Sequence, residues 1–171
     1  MALKTTVKVR QPAENDLVGR TFVVAGVGAG FEGTIGLRLL DESGKVIARG
    51  SAQSAAGGMG VGEFITRLTV DSPPKPGKGV TLQAFGDNPG LPDEGPRPGF
   101  DLYEVELIMF GDLRGWLLYR VERGDTLSGI VRDVSDLVET SVKEIVAANP
   151  HRIVDPDHIE PGWRLRIPIR N

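Results

Sequence analysis

The sequence contains no cysteine, which removes disulfide frameworks, thiolate nucleophiles and Cys-ligated zinc or iron–sulfur sites. Its only two histidines, His151 and His158, lie close together near the C-terminus. Positive charge is not in excess. Twenty Lys+Arg face 23 Asp+Glu, for a net charge of −3. Residues 1–116 hold 12 basic and 14 acidic groups and residues 117–171 hold 8 and 9, so neither part carries a steering field. A surface that tracks nucleic-acid phosphates needs such a field, so nucleic acid is not an expected partner. Long apolar runs are missing as well. The longest uncharged one, Thr21 to Phe31, is glycine-rich and bounded by Arg20 and Glu32, too short to span a bilayer. The N-terminal Met1–Lys8 has no apolar core of the signal-peptide kind. The expectation is either that the protein is not exported or that a leader was removed. There is no Gly-x-Ser-x-Gly elbow, and no sign of a carboxylate pair set in an apolar pocket. The chain is therefore not expected to be an enzyme, and no cofactor or metal is implied.

What is present is ordinary globular material. Of 171 residues, 40 % are apolar and 25 % charged, which suits one domain or two small ones. With 23 Gly and 12 Pro the chain is loop-rich. Up to Phe110 it reads as short runs of strand period: Thr5–Arg10, Arg20–Val27, Thr34–Asp41, Lys45–Ala52, Gly62–Val70, Gly79–Phe85 and Asp101–Phe110. Asp41-Glu42-Ser43-Gly44 is a hairpin turn. These spacings predict an antiparallel β-sandwich over residues 1–111. Gly86–Gly99 carries four prolines, Pro89, Pro92, Pro96 and Pro98, and is read as a surface crossover or a functional loop. Residues 112–117 are read as a linker.

Residues 118–171 change period. A short strand, Tyr119-Arg120-Val121, precedes Gly124-Asp125-Thr126. Asp125 or Thr126 is expected to cap a helix over about Leu127–Val134, because an oxygen there accepts from an orphan N–H. Ser141 with Glu144 is a capping-box pattern for a second helix, stopped at Asn149-Pro150. After Glu160-Pro161-Gly162, Trp163–Ile169 alternates as a strand. The order is strand, helix, helix, strand.

That order resembles the lysin motif, LysM, through Tyr119-Arg120-Val121-Glu122-Arg123-Gly124-Asp125-Thr126-Leu127-Ser128-Gly129-Ile130, Ala148-Asn149-Pro150 and Ile159-Glu160-Pro161-Gly162-Trp163-Arg164-Leu165-Arg166-Ile167-Pro168. Trp163 stands where that family usually has Gln. The N-terminal part is similar to the immunoglobulin-like domain found in bacterial spore-germination proteins. The residues that carry this likeness are Val9-Arg10-Gln11-Pro12-Ala13, Phe22-Val23-Val24-Ala25-Gly26, Phe31-Glu32-Gly33-Thr34, Leu39–Val46 and Glu63-Phe64. The resemblances imply an all-β immunoglobulin-like sandwich followed by a small α+β (βααβ) LysM domain. They also imply non-catalytic binding of glycans containing N-acetylglucosamine, peptidoglycan or chitin. The implied groove lies between two loops: Gly124, Asp125, Thr126, Leu127 and Ser128 in one, and Arg152, Ile153, Val154, Asp155 and Pro156 in the other. Backbone amides there suit an acetamido group, with Leu127, Ile153 and Val154 offering apolar carbon. The sandwich would be a spacer or a protein-interaction module, with an envelope or spore protein as partner. The alternative is an adaptor that uses both domains for protein contacts.

Three features compete. Gly28-Ala29-Gly30-Phe31-Glu32-Gly33 fits G-x-G-x-x-G, but Thr34–Leu39 continues as strand, so the glycines are read as a turn or bulge. Asp155, Asp157, His158 and Glu160 are donors of the metal-binding kind, placed in a turn where solvation is the expected role. Trp116 and Trp163 are read as packing anchors between modules or as sugar-stacking rings.

Overall fold

The chain is described from a computed structural model, for residues 7–86 and 102–170. The N-terminal strands are β1 (Lys8–Gln11), β2 (Leu17–Val18), β3 (Thr21–Gly28), β4 (Thr34–Asp41), β5 (Val46–Gln53), β6 (Gly62–Thr69), β7 (Lys78–Gly86) and β8 (Leu102–Met109). They form a three-stranded sheet of order β1-β3-β6 and a five-stranded sheet of order β2-β8-β7-β4-β5. All pairings are antiparallel except β2 with β8. The inward faces share one core. Val24, Phe64 and Leu68 come from the smaller sheet, and Ile35, Leu37, Leu39, Val80, Leu82 and Leu107 from the larger. This is the expected sandwich, built from period-2 burial on both sheets.

Local chemistry sets the register. In the β4–β5 turn, the Asp41 carboxylate accepts from Ser43 N–H at 2.9 Å, from its hydroxyl at 2.6 Å and from Lys45 N–H at 3.0 Å. Gly44 takes φ +80, the left-handed conformation that glycine adopts without steric cost. The G-x-G-x-x-G stretch makes no nucleotide-binding helix. It ends β3, makes a single 3-10 turn at Phe31–Gly33 and crosses to the other sheet at β4. A Cβ at Gly33 would lie 2.8 Å from Gly57 backbone atoms, so the glycine lets two loops meet. Gly86 is described, but residues 87–99 of the expected proline-rich loop lie outside the described residues.

The expected linker at 112–117 is instead mostly strand. After a turn closed by Leu113 N–H donating to Phe110 O at 2.9 Å, β9 runs Leu113–Arg120. It pairs antiparallel with β10 (Arg164–Arg170) from Leu113↔Arg170 to Arg120↔Arg164. Two helices, α1 (Leu127–Asp133) and α2 (Val142–Ala148), cover one face of this ribbon. Their core comprises Val121, Leu127, Ile130, Val134, Ile145, Ile153, Leu165 and Ile167. Of the two capping candidates, Thr126 caps α1 by accepting from Gly129 N–H at 3.1 Å. Ser141 caps α2 by accepting from Glu144 N–H at 3.3 Å, while its hydroxyl donates to the Glu144 carboxylate at 3.0 Å.

The two halves touch through a third apolar cluster. Leu17, Ile108 and Phe110 of the sandwich pack on Ala148, with Leu113 and Ala147 alongside. The tryptophans are not part of it. Trp163 packs within the helical half, and Trp116 is 44 % exposed.

Candidate functional site

Glycine at position 124 sits at φ +95, turning the chain sharply out of β9 toward α1. Asp125 then stiffens the turn, its carboxylate accepting from Glu122 N–H at 2.7 Å and from the Tyr119 hydroxyl at 3.0 Å. Burial and that carboxylate push the Tyr119 phenol above its ordinary pKa, so it stays a donor. Thr126, Leu127 and Ser128 follow as cap and first turn of α1. Gly129 N–H is taken by Thr126, and the N–H groups of Leu127 and Ser128 have no acceptor within the helix.

Facing this turn is Pro156–Ile159. There Asp155 accepts from Asp157 N–H at 2.9 Å, and His158 N–H donates to Asp155 O at 3.1 Å. Between the two segments lies a cavity of about 270 Å³, lined by Asp125–Ser128, Val142 and Pro156–Ile159. Its wall is mixed: the Leu127, Val142, Pro156 and Ile159 side chains supply carbon, and Asp125, Thr126, Ser128, Asp157 and His158 supply polar groups.

The ten residues expected at the groove therefore separate. Asp125, Thr126, Leu127, Ser128 and Pro156 line this cavity, with Gly124 at the turn beside them. Leu127 is 3 % exposed and doubles as core. Arg152, Ile153 and Val154 lie elsewhere. Ile153 is core at 3 % exposure, Val154 is 90 % exposed, and Arg152 lies over the Trp163 ring with its guanidinium 6.0 Å from the centroid. Asp155 holds the facing turn rather than the cavity wall. The reason is a local turn at Asn149: Arg152 N–H and Ile153 N–H both donate to Asn149 O, which folds residues 150–153 back onto the core. The facing wall is consequently set three to four residues later than expected. Val142, Asp157, His158 and Ile159 are lining residues the sequence reading missed. Val142 follows the capping serine, Asp157 and His158 stood out in the sequence only as donors of the metal-binding kind, and Ile159 precedes the Glu160-Pro161-Gly162 turn.

The carboxylates and histidine of residues 155–160 do not converge. His158 Nε2 lies 3.4 Å from Glu160, and among the described residues no group of three or more His, Asp or Glu comes together.

Comparison with known families fits this architecture. Residues 6–89 match the model of the immunoglobulin-like domain of bacterial spore germination, and residues 119–168 match the LysM domain. The chain joins one domain of each kind. No curated protein matches it. LysM domains are in general peptidoglycan- or chitin-binding modules, and neither domain type is catalytic. In this LysM domain the cavity lies where the strand-to-helix turn meets the segment before β10. Among the described residues, no helix is long and apolar enough to cross a membrane.

Proposed function

We propose that the chain attaches, without catalysis, to glycan containing N-acetylglucosamine, the peptidoglycan of cell wall or spore cortex, through the cavity between residues 124–128 and 156–159. The sandwich serves as spacer or protein-contact module, and the setting is the cell envelope. The observation that carries this reading is that cavity, on a domain of glycan-binding type, with apolar carbon for a sugar face and an acetamido methyl beside amide and hydroxyl groups. The site is small and open, and one copy is present in this chain, so monovalent affinity is expected at about micromolar to millimolar, roughly −4 to −8 kcal/mol. Repetition along a strand would raise avidity.

The adaptor reading keeps one specific support. Phe31, Met59 and Val61 are 55 %, 96 % and 49 % exposed on the neighbouring loops at one end of the sandwich, an apolar tip of a kind that marks protein contacts.

Sedimentation with purified peptidoglycan tests the proposal. Ser128 is an exposed lining residue, so Ser128→Trp fills the cavity mouth without touching the core. The wild type should co-sediment, and Ser128→Trp should lower the bound fraction at least about tenfold, the loss of roughly 1.4 kcal/mol. Equal pull-down of both would overturn the assignment of this cavity, and no pull-down of either would favour the adaptor.

A further inference from the structure

The outer face of the β9–β10 ribbon, opposite the helices, has an unusual composition. Period-2 alternation and the pairing register put Arg114, Trp116, Leu118 and Arg120 of β9 beside Arg164, Arg166 and Pro168 of β10. Arg120 is directly opposite Arg164, a like-charge pair that costs stability in a sheet. Neither strand contributes an acid to this face. Among the described residues Arg114, Arg120 and Arg164 have no carboxylate partner within 4.0 Å, although acidic residues outnumber basic ones in the whole chain. Trp116 and Leu118 are 44 % and 62 % exposed.

Where this face meets the sandwich, a cavity of about 390 Å³ is lined by Leu118, His151, Arg152, Arg164 and Arg166, with Glu14 as the one lining carboxylate. Arg166 is half-buried. Its guanidinium donates to Asn15 O and Ala148 O, both at 2.7 Å, and finds no carboxylate. Desolvation lowers its pKa, opposed by Asp16. Glu14 accepts from Glu106 N–H at 3.2 Å, and Asp16 from Ala13 N–H at 2.8 Å. Arg152, Arg164 and Arg166 thus bring three arginine side chains to one cavity, and arginine's fork suits phosphate oxygens.

We propose that this junction cavity and the Arg114–Arg120 face form a binding site for a linear polymer of phosphodiester-linked polyols or sugars. One phosphate would sit among Arg152, Arg164 and Arg166. The chain would then run along the ribbon, where Arg114 and Arg120 stand roughly 20 Å apart at about 3.3 Å per residue. Trp116 and Leu118 would cover its carbon backbone. The cavity is lined from both domains and continues onto the extended ribbon, a path that a flexible chain can follow. Single-stranded nucleic acid would need successive aromatic platforms, and this face has one aromatic, Trp116. The site is separate from the glycan cavity, sharing none of its lining residues, and stands or falls independently of it.

The test is a titration of the full chain with a glycerol-phosphate oligomer, followed by tryptophan fluorescence at several salt concentrations. Inorganic phosphate, an oligothymidylate of equal charge and phosphatidylglycerol vesicles are the comparators. The oligomer should bind tightest, with affinity falling as salt rises. Arg152→Glu with Arg164→Glu, both exposed positions, should weaken binding at least about tenfold and flatten the salt slope by about one per lost phosphate contact. The exposed Arg67→Glu on the sandwich and Ser128→Trp at the glycan cavity should leave it unchanged. Unaltered binding by the double variant, with circular dichroism confirming its fold, would overturn the proposal. So would tighter binding of oligothymidylate or vesicles, or no binding of the oligomer at low salt.

Discussion

Asn149 ends α2 and fastens it to β10. Its side-chain amide donates to Ile145 O and to Arg166 O, both at 2.7 Å, and its carbonyl accepts from Arg166 N–H at 2.8 Å. The residue is 5 % exposed, so each bond is made where water cannot substitute. Asn149→Ala leaves buried backbone groups unsatisfied and should cost about 3 kcal/mol, at roughly 1 kcal/mol or more per bond, read from urea unfolding. Asn149→Asp should not rescue it, because a carboxylate cannot donate to two carbonyls. Gly26 shows a different constraint. Its φ lies outside the left-handed region, and a Cβ there would come 2.1 Å from Lys8 O, so what excludes a side chain is the approach of β1.

Among elements, the far end of the β9–β10 ribbon is clamped by one arginine. Arg170 Nε lies 2.8 and 2.9 Å from the two Asp112 oxygens, and its Nη1 donates to Glu144 at the start of α2. The clamp spans the turn before β9, the end of β10 and α2, so it fixes how the ribbon meets its helices. The Arg170 hydrogen bonds hold the Asp112 carboxyl below the usual carboxylate range. Its folded pKa is therefore depressed, and its contribution is present above the unfolded value of about 3.9 and lost as pH falls below that toward the folded one. Asp112→Asn should destabilise by about 1 kcal/mol near neutrality, a figure kept small because the pair is partly exposed. That gap should close on acidification through the same window, as denaturant midpoints measured from pH 7 to pH 2 would reveal.

For the whole molecule the decisive contact is Phe110, fully buried between the last sandwich strand and α2. β9 begins three residues later, which leaves no room for a flexible linker. The Arg166 guanidinium adds a bond from β10 to Asn15 of the sandwich. The cavity beside α1 is thus carried at a fixed angle to the sandwich. The wild type should melt in one transition. Phe110→Ala should lose about 3–5 kcal/mol and split calorimetric unfolding into two, one for each half. A single shifted transition would mean that the halves are coupled by other contacts.

Most elements were legible because their causes are local. Ile35, Leu37 and Leu39 alternate on β4, Gly44 permits the hairpin, and Ser141 and Thr126 cap α2 and α1; each signal lies within a few residues of its effect. The expected linker failed because Gly111-Asp112 reads as a break, whereas Leu113–Leu117 becomes strand by pairing with β10 some fifty residues on. That residues 152–154 lie outside the cavity beside α1 has a similar reason. Ile153 and Val154 have the same apolar chemistry, and only the fold-back onto Asn149 O decides that one is core and the other exposed.

The sequence by itself determined the strand and helix periods, the caps and turns, the family resemblances and the absence of cysteine chemistry, because these depend on residue type and near neighbours. Tertiary structure alone decided which loop residues face the cavity, that both domains share an apolar junction, and that arginines distant in sequence meet on one face. Those outcomes depend on pairing register and on contacts between segments far apart along the chain, which no local pattern encodes.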